Sequence, residues 1–149
     1  MHIAVTGGAG YIGSVTVEAL RERGDQVCVI DSLITGHRGA VSPEIPFYQL
    51  DLRDTARLID LFQKQNIQGV VHFAAASLVG ESVKDPDNYM DNNVAGTLSL
   101  LRAVQFVVRF LARLMRRTLK LGGAESLGTA LFIFLGLEVM SISVYALTA

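Results

Sequence analysis

Thr6-Gly7-Gly8-Ala9-Gly10-Tyr11-Ile12-Gly13 is the stretch whose reading decides the fold. An apolar run, His2 to Val5, precedes it, and a run of helical character, Ser14 to Arg23, follows. A glycine-rich turn between a strand and a helix cradles phosphate. Glycine lets the main chain approach a pyrophosphate, and the helix start supplies free N–H groups and the positive end of the dipole. Asp31 closes the next apolar run, 18 residues after Gly13. That spacing suits a carboxylate that accepts from ribose hydroxyls.

Working outward, the first hundred residues alternate between two patterns. Residues 2–6, 26–31, 46–51 and 69–73 read as strands, and 11–23, 54–65 and 86–104 as helices. The strand runs are nearly continuous in apolar character, as in Val27-Cys28-Val29-Ile30 and Val70-Val71-His72-Phe73. Strands covered on both faces have this composition. Gly24-Asp25 closes the first helix. Asp54 is a good N-cap for the second, and Asp85 followed by Pro86 suits the start of the third. Strand–helix alternation implies right-handed crossovers and a parallel sheet of about four strands. The expected class is α/β.

Composition adds bounds. The 149 residues suffice for one domain with a real core. The single cysteine, Cys28, excludes an internal disulfide and reads as a buried, inert thiol. The N-terminus lacks a charged segment and a cleavage site, so no signal peptide is expected. Residues 1–101 carry 12 acidic and 7 basic side chains, residues 102–121 carry six basic and no acidic ones, and residues 122–149 carry only Glu125 and Glu138. Three such balances suggest three environments. No nucleic-acid partner is expected.

After Leu101 the alternation stops. Residues 102–121 read as a basic amphipathic helix with Arg102, Arg109, Arg113, Arg116 and Lys120 on one face. Such a face suits an anionic membrane surface or ordinary solvent. Residues 122–126 read as a linker that begins with Gly122-Gly123. Residues 127–149 hold one charge, Glu138, and as a helix would be ~35 Å long, enough to cross a bilayer core. A transmembrane helix and a buried helix of the globule compete here. The former is preferred because the sequence shows no partner layer, and it would leave the basic segment cytoplasmic.

The ordered strings Val5 to Ser14, Thr16 to Leu20, Asp31-Ser32-Leu33, Thr35-Gly36-His37-Arg38, Phe47-Tyr48, Asp51-Leu52-Arg53-Asp54, His72-Phe73-Ala74-Ala75, Val79 to Val83 and Tyr89 to Leu101 resemble UDP-glucose 4-epimerases, of the extended short-chain dehydrogenase/reductase family. The resemblance covers residues 1 to about 101. It implies the NAD-binding half of a Rossmann fold, followed here by C-terminal helices. Carried over, it gives Gly7, Gly10, Tyr11, Ile12 and Gly13 to the pyrophosphate. It gives Asp31 to the adenosine ribose, with Ser32, Thr35 and Gly36 nearby. A carboxylate at that place implies NAD rather than NADP. Asp51 and Leu52 would border the adenine, Phe73, Ala74 and Ala75 would line the exit of the fourth strand, and Asn92 would contact the cofactor from the next helix. A UDP-sugar partner follows from the resemblance alone, as does a cytoplasmic location for the domain. Leu52 and Phe73 also read as ordinary core residues. His2, His37 and His72 lack metal-ligand spacing, and His72 reads as a strand-end core residue.

Two departures qualify the resemblance. Ser77 stands where the family has a lysine, and Val15 where it has a polar residue. The family's base is a tyrosine in a Tyr-x-x-x-Lys motif, yet four residues beyond Tyr11, Tyr48, Tyr89 and Tyr145 lie Val15, Leu52, Asn93 and Ala149. No catalytic residue and no metal ligand is therefore assigned, and the chain is expected to be inactive alone. Residues 128–147 separately resemble one membrane helix of NADH–quinone oxidoreductase subunit N, with Glu138 at its intramembrane acid. The expectation is a cofactor-binding epimerase fragment. The alternatives are a membrane-tethered nucleotide-binding module and a fusion product joined near residue 104.

Overall fold

The computed structural model describes residues 1–118 and 144–146. Strands β1 (His2–Thr6), β2 (Gln26–Asp31), β3 (Phe47–Gln49), β4 (Gly69–His72) and β5 (Val144–Ala146) form one sheet in the order β3-β2-β1-β4-β5. Every pairing is parallel. Helices α1 (Tyr11–Glu22), α2 (Thr55–Lys64), α3 (Val79–Lys84), α4 (Pro86–Met90) and α5 (Gly96–Thr118) connect them, with a single turn of 3₁₀ helix at Arg38–Ala40.

The strands are apolar throughout because both faces are covered. Ala4, Cys28, Ile30 and Val70 face Leu58, Leu61 and Phe62 of α2 and Leu100, Ala103 and Val107 of α5. Ile3, Val5, Val27 and Val29 face the other layer, where Val17 of α1 packs with Val41 and Ile45. Side chains alternate between faces at the strand period of two. Burial holds the Cys28 thiol neutral, its pKa pushed up to about 12, in keeping with an inert core residue.

The expected helix starts are present. The Asp54 carboxylate accepts the Arg57 N–H at 3.1 Å, and the Asp85 carboxylate accepts the Asn88 N–H at 3.2 Å, with Pro86 at the first helical position. Gly24 ends α1 at φ +91°, a conformation costly for any residue with a Cβ. The helix expected over 86–104 differs in one respect. Residues Asp91–Ala95 form a π-turn between α4 and α5, and the Gly96 N–H reaches back to the Asp91 carbonyl. Helix α5 then runs unbroken through residue 101 to Thr118, with Arg102, Arg109 and Arg113 exposed.

The C-terminal reading needs a correction. Val144–Ala146, inside the stretch read as one helix over 127–149, is a strand paired with β4: Val70 lies beside Val144, and His72 beside Ala146. The four expected parallel strands are present, and this short segment adds a fifth at the β4 edge. The physical reason is the edge of β4, whose unpaired N–H and C=O groups are satisfied by another extended segment, and Val and Tyr favour that conformation. The rest of 127–149, the 122–126 linker and most of the stretch resembling subunit N lie outside the described residues. Among the described residues, Pro86–Leu114 is the helical run long and apolar enough to span a membrane. It instead packs Leu100, Ala103 and Val107 on α2.

Candidate nucleotide-binding site

Strands β2 and β3 lie on one side of β1, and β4 lies on the other. The chain reverses direction across the sheet between β1 and β4. Parallel sheets open a crevice at such a point, beyond the carboxyl ends of the strands. The glycine turn leaves β1 there, and Phe73-Ala74-Ala75 leaves β4 there.

Close approach of main chain to main chain explains two glycines. A Cβ on Gly7 (φ +72°) would lie 2.6 Å from the Ala74 nitrogen, and one on Gly13 would lie 2.1 Å from the Gly7 oxygen. The turn therefore seats itself against both the β4 exit and the first turn of α1. Gly10 is the N-cap of α1 and has no side chain with which to cap it, and the first turn contains no acidic residue. The N–H groups of Tyr11, Ile12 and Gly13 are left for an external acceptor. Tyr11 is 88% exposed and Ile12 is also exposed.

Asp31 is the fixed point beside this turn. It is 7% exposed. Its Oδ2 accepts the Ala9 N–H at 2.9 Å, and its Oδ1 accepts the Leu33 N–H at 2.8 Å. One carboxylate thus ties the glycine turn to the loop after β2, and each oxygen keeps a further lone pair for a hydroxyl.

Asp31, Ser32, Asp51, Leu52, Ala74 and Asn92 line one cleft, together with Ile30, Leu50 and Gly96. Apolar and hydrogen-bonding side chains are mixed in its lining. Leu52 serves both the cleft and the core. Phe73 packs on the core beneath α1 and does not line the cleft. Ala75, Thr35 and Ser77 are exposed, and Gly36 lies against the Asp31 carboxylate.

The hydrogen bonds of the Arg53 guanidinium lower the Asp51 carboxylate below its ordinary value. Arg53 Nε lies 3.0 Å from Asp51 Oδ1, and the same guanidinium pairs with Asp91 across the cleft rim. Asp51 is therefore an ionised acceptor.

Three features escaped the sequence reading. The Asn93 side chain clamps Ala76: its Oδ1 accepts the Ala76 N–H at 2.8 Å, and its Nδ2 donates to the Ala76 carbonyl at 2.9 Å. The Asn92 amide in turn donates to Asn93 Oδ1 at 2.8 Å. His72, buried as expected, also holds Thr6 and Thr97 at its two ring nitrogens. The Asn92-Asn93 pair was the available signal. A π-turn has no comparable sequence mark.

Comparisons with known proteins bear on the family and the fold. The UDP-glucose 4-epimerase of Lacticaseibacillus casei is 54% identical over 110 residues, covering 73% of this chain and 33% of that protein. The enzyme of Halalkalibacterium halodurans is 56% identical over 102 residues, 68% of this chain and 30% of that one. Among solved structures, the Thermus thermophilus UDP-glucose 4-epimerase in complex with NAD superimposes with a TM-score of 0.67 at 44% identity, covering 69% of this chain and 33% of its own. The Bifidobacterium longum enzyme in complex with NAD+ and UDP gives 0.66 at 34% identity, covering 70% and 33%. The chain spans about a third of the length of these relatives. Residues 3–135 match the profile described as the NAD dependent epimerase/dehydratase family, and the chain belongs to that family.

Proposed function

We propose that this chain binds the adenylate half of NAD and is the cofactor-holding portion of a UDP-glucose 4-epimerase, without epimerising alone. The observation that carries the reading is the uncapped first turn of α1, seated behind a Gly7–Gly13 contact that admits no side chain. That turn suits a pyrophosphate, which takes the N–H groups of Tyr11, Ile12 and Gly13. Asp31 accepts from the ribose hydroxyls, and a 2′-phosphate would meet its buried carboxylate. Leu52 covers one face of the adenine, and ionised Asp51 accepts from its amino group. NAD supplies a hydride acceptor when bound, but the described residues hold only its far end.

Two departures from the family's pattern support the proposed lack of turnover. No tyrosine has a lysine four residues on, and Ser77 replaces the family's lysine. UDP-glucose and UDP-galactose are substrates for the whole enzyme in this reading. Calorimetry of the full chain with NAD, ADP-ribose and NADP tests it. NAD and ADP-ribose should bind with similar affinity and NADP much more weakly. Absence of saturable NAD binding would refute the binding site, and robust turnover of UDP-galactose would refute the claim of inactivity.

A further inference from the structure

The buried polar chain behind the cleft carries a role of its own. Thr6, the last residue of β1, is fully buried, and His72, the last residue of β4, is 6% exposed. Thr6 Oγ1 lies 2.6 Å from His72 Nδ1, and His72 Nε2 lies 3.1 Å from Thr97 Oγ1. The Thr97 hydroxyl also lies 2.6 Å from the Asn93 carbonyl. A carbonyl only accepts, so Thr97 donates its single hydrogen there. Thr97 must then accept from His72, which places a hydrogen on Nε2. Desolvation lowers the His72 pKa and keeps the ring neutral. Nδ1 is therefore bare and takes the Thr6 hydrogen. Every donor in the chain has one acceptor, and the direction is fixed: Thr6 to His72 to Thr97 to the Asn93 carbonyl.

This path joins the base of the glycine turn to the π-turn that carries Asn92, a residue of the cleft wall. Thr6 is the residue from which the glycine turn springs. Asn93 lies in the π-turn, clamps Ala76 beyond the β4 exit, and receives the amide of Asn92, which lines the cleft. We propose that His72 is a positioning residue that, as its Nε2–H tautomer, sets the π-turn carrying Asn92 and Asn93 relative to the glycine turn, so that the turn and the cleft beside it meet one nucleotide. Its consequence for binding rests on the function proposed above, but the linkage itself does not.

The first test needs no ligand. In the uniformly ¹⁵N-labelled full chain at neutral pH, the imidazole correlations of His72 should show Nε2 protonated and Nδ1 bare. An Nδ1–H tautomer or an imidazolium would overturn the proposal. The second test uses Thr97→Val and Thr6→Val, which keep side-chain shape and remove one hydroxyl each. Both should raise the hydrogen-exchange rate of the Ala76 amide by about fivefold, the contribution of one buried hydrogen bond, while the Val107 amide stays protected. Unchanged Ala76 exchange in a folded variant would overturn the linkage. ADP-ribose affinity should fall by a similar factor in both variants. Loss of the exchange effect defeats the linkage. A wild-type chain that shows the linkage but fails to bind ADP-ribose defeats only the functional reading.

Discussion

Asp31 Oδ2 accepts the Ala9 N–H at 2.9 Å from within the protein, so the carboxylate that faces the cleft also shapes the turn beside it. Its other oxygen holds the Leu33 N–H, where the backbone sits at φ +61°. Site and scaffold are thus not separable at this residue. Asp31→Ala should destabilise the fold by about 1–3 kcal/mol, because two buried or half-buried N–H groups lose their acceptors. Asp31→Asn keeps one acceptor oxygen and should be milder in denaturant unfolding. Both should lower ADP-ribose affinity by roughly tenfold or more in calorimetry.

Gly13→Ala places a methyl 2.1 Å from the Gly7 oxygen. The neighbour is main chain and cannot rotate away. Overpacking of about 1–3 kcal/mol is expected in thermal unfolding, with saturable nucleotide binding lost even at temperatures where the variant is folded. Retention of full affinity would contradict the close packing of the turn.

Acidification should weaken the fold through His72. Burial lowers its pKa below the ordinary value of 6.5. Its contribution is complete above that value and declines as pH falls below it, until the folded value is passed. Urea midpoints measured through this range should drop in the wild type. The drop should shrink in His72→Gln, which has no titrating ring and can still donate to Thr97.

Arg53 sets the ionisation of Asp51. The folded Asp51 value lies below 3.8, so this pairing stabilises above that pH and is lost as pH falls through the folded value. Arg53→Met should raise the Asp51 titration point toward the ordinary range, read from carboxyl carbon shifts. Both side chains are more than a third exposed, so the stability change near neutral pH should stay below ~1 kcal/mol.

Ser77→Lys restores a cation where the family has one, at an exposed position past β4. NAD affinity should rise by roughly threefold to tenfold, with little change in unfolding temperature. An effect on ADP-ribose equal to that on NAD would place the lysine at the adenylate end instead.

The local chemistry of the fold was legible to differing depths. Gly24, Asp54 and Asp85 announce helix ends because each performs one local task that few other residues perform. The four long apolar runs announce a sheet buried on both faces. The meeting of Asp31, Asp51, Leu52, Ala74 and Asn92 in one cleft follows once strand order is known, and the structure supplies that order. Other features depend on tertiary neighbours. The π-turn at Asp91–Ala95 looks like ordinary helix in sequence. The Thr6–His72–Thr97 chain joins three elements that no short window contains. Val144-Tyr145-Ala146 is apolar enough for helix or strand, and the open edge of β4 decides between them.

That last pairing has a consequence for the order of assembly. Val70 and Val144 are more than seventy residues apart, whereas β1 and β2 pair across about two dozen. Closing the longer loop costs more chain entropy and returns only a three-residue ladder. Strands β1 and β2 should therefore pair first; β4 joins β1 over a span nearly as long as that of β5, but with a longer ladder and with α2 and α5 packed on the sheet, so β5 is added last. During that interval the Val70–Val71 edge is bare. Folding at high protein concentration is then a race between the chain's own β5 and the same edge of a neighbouring molecule.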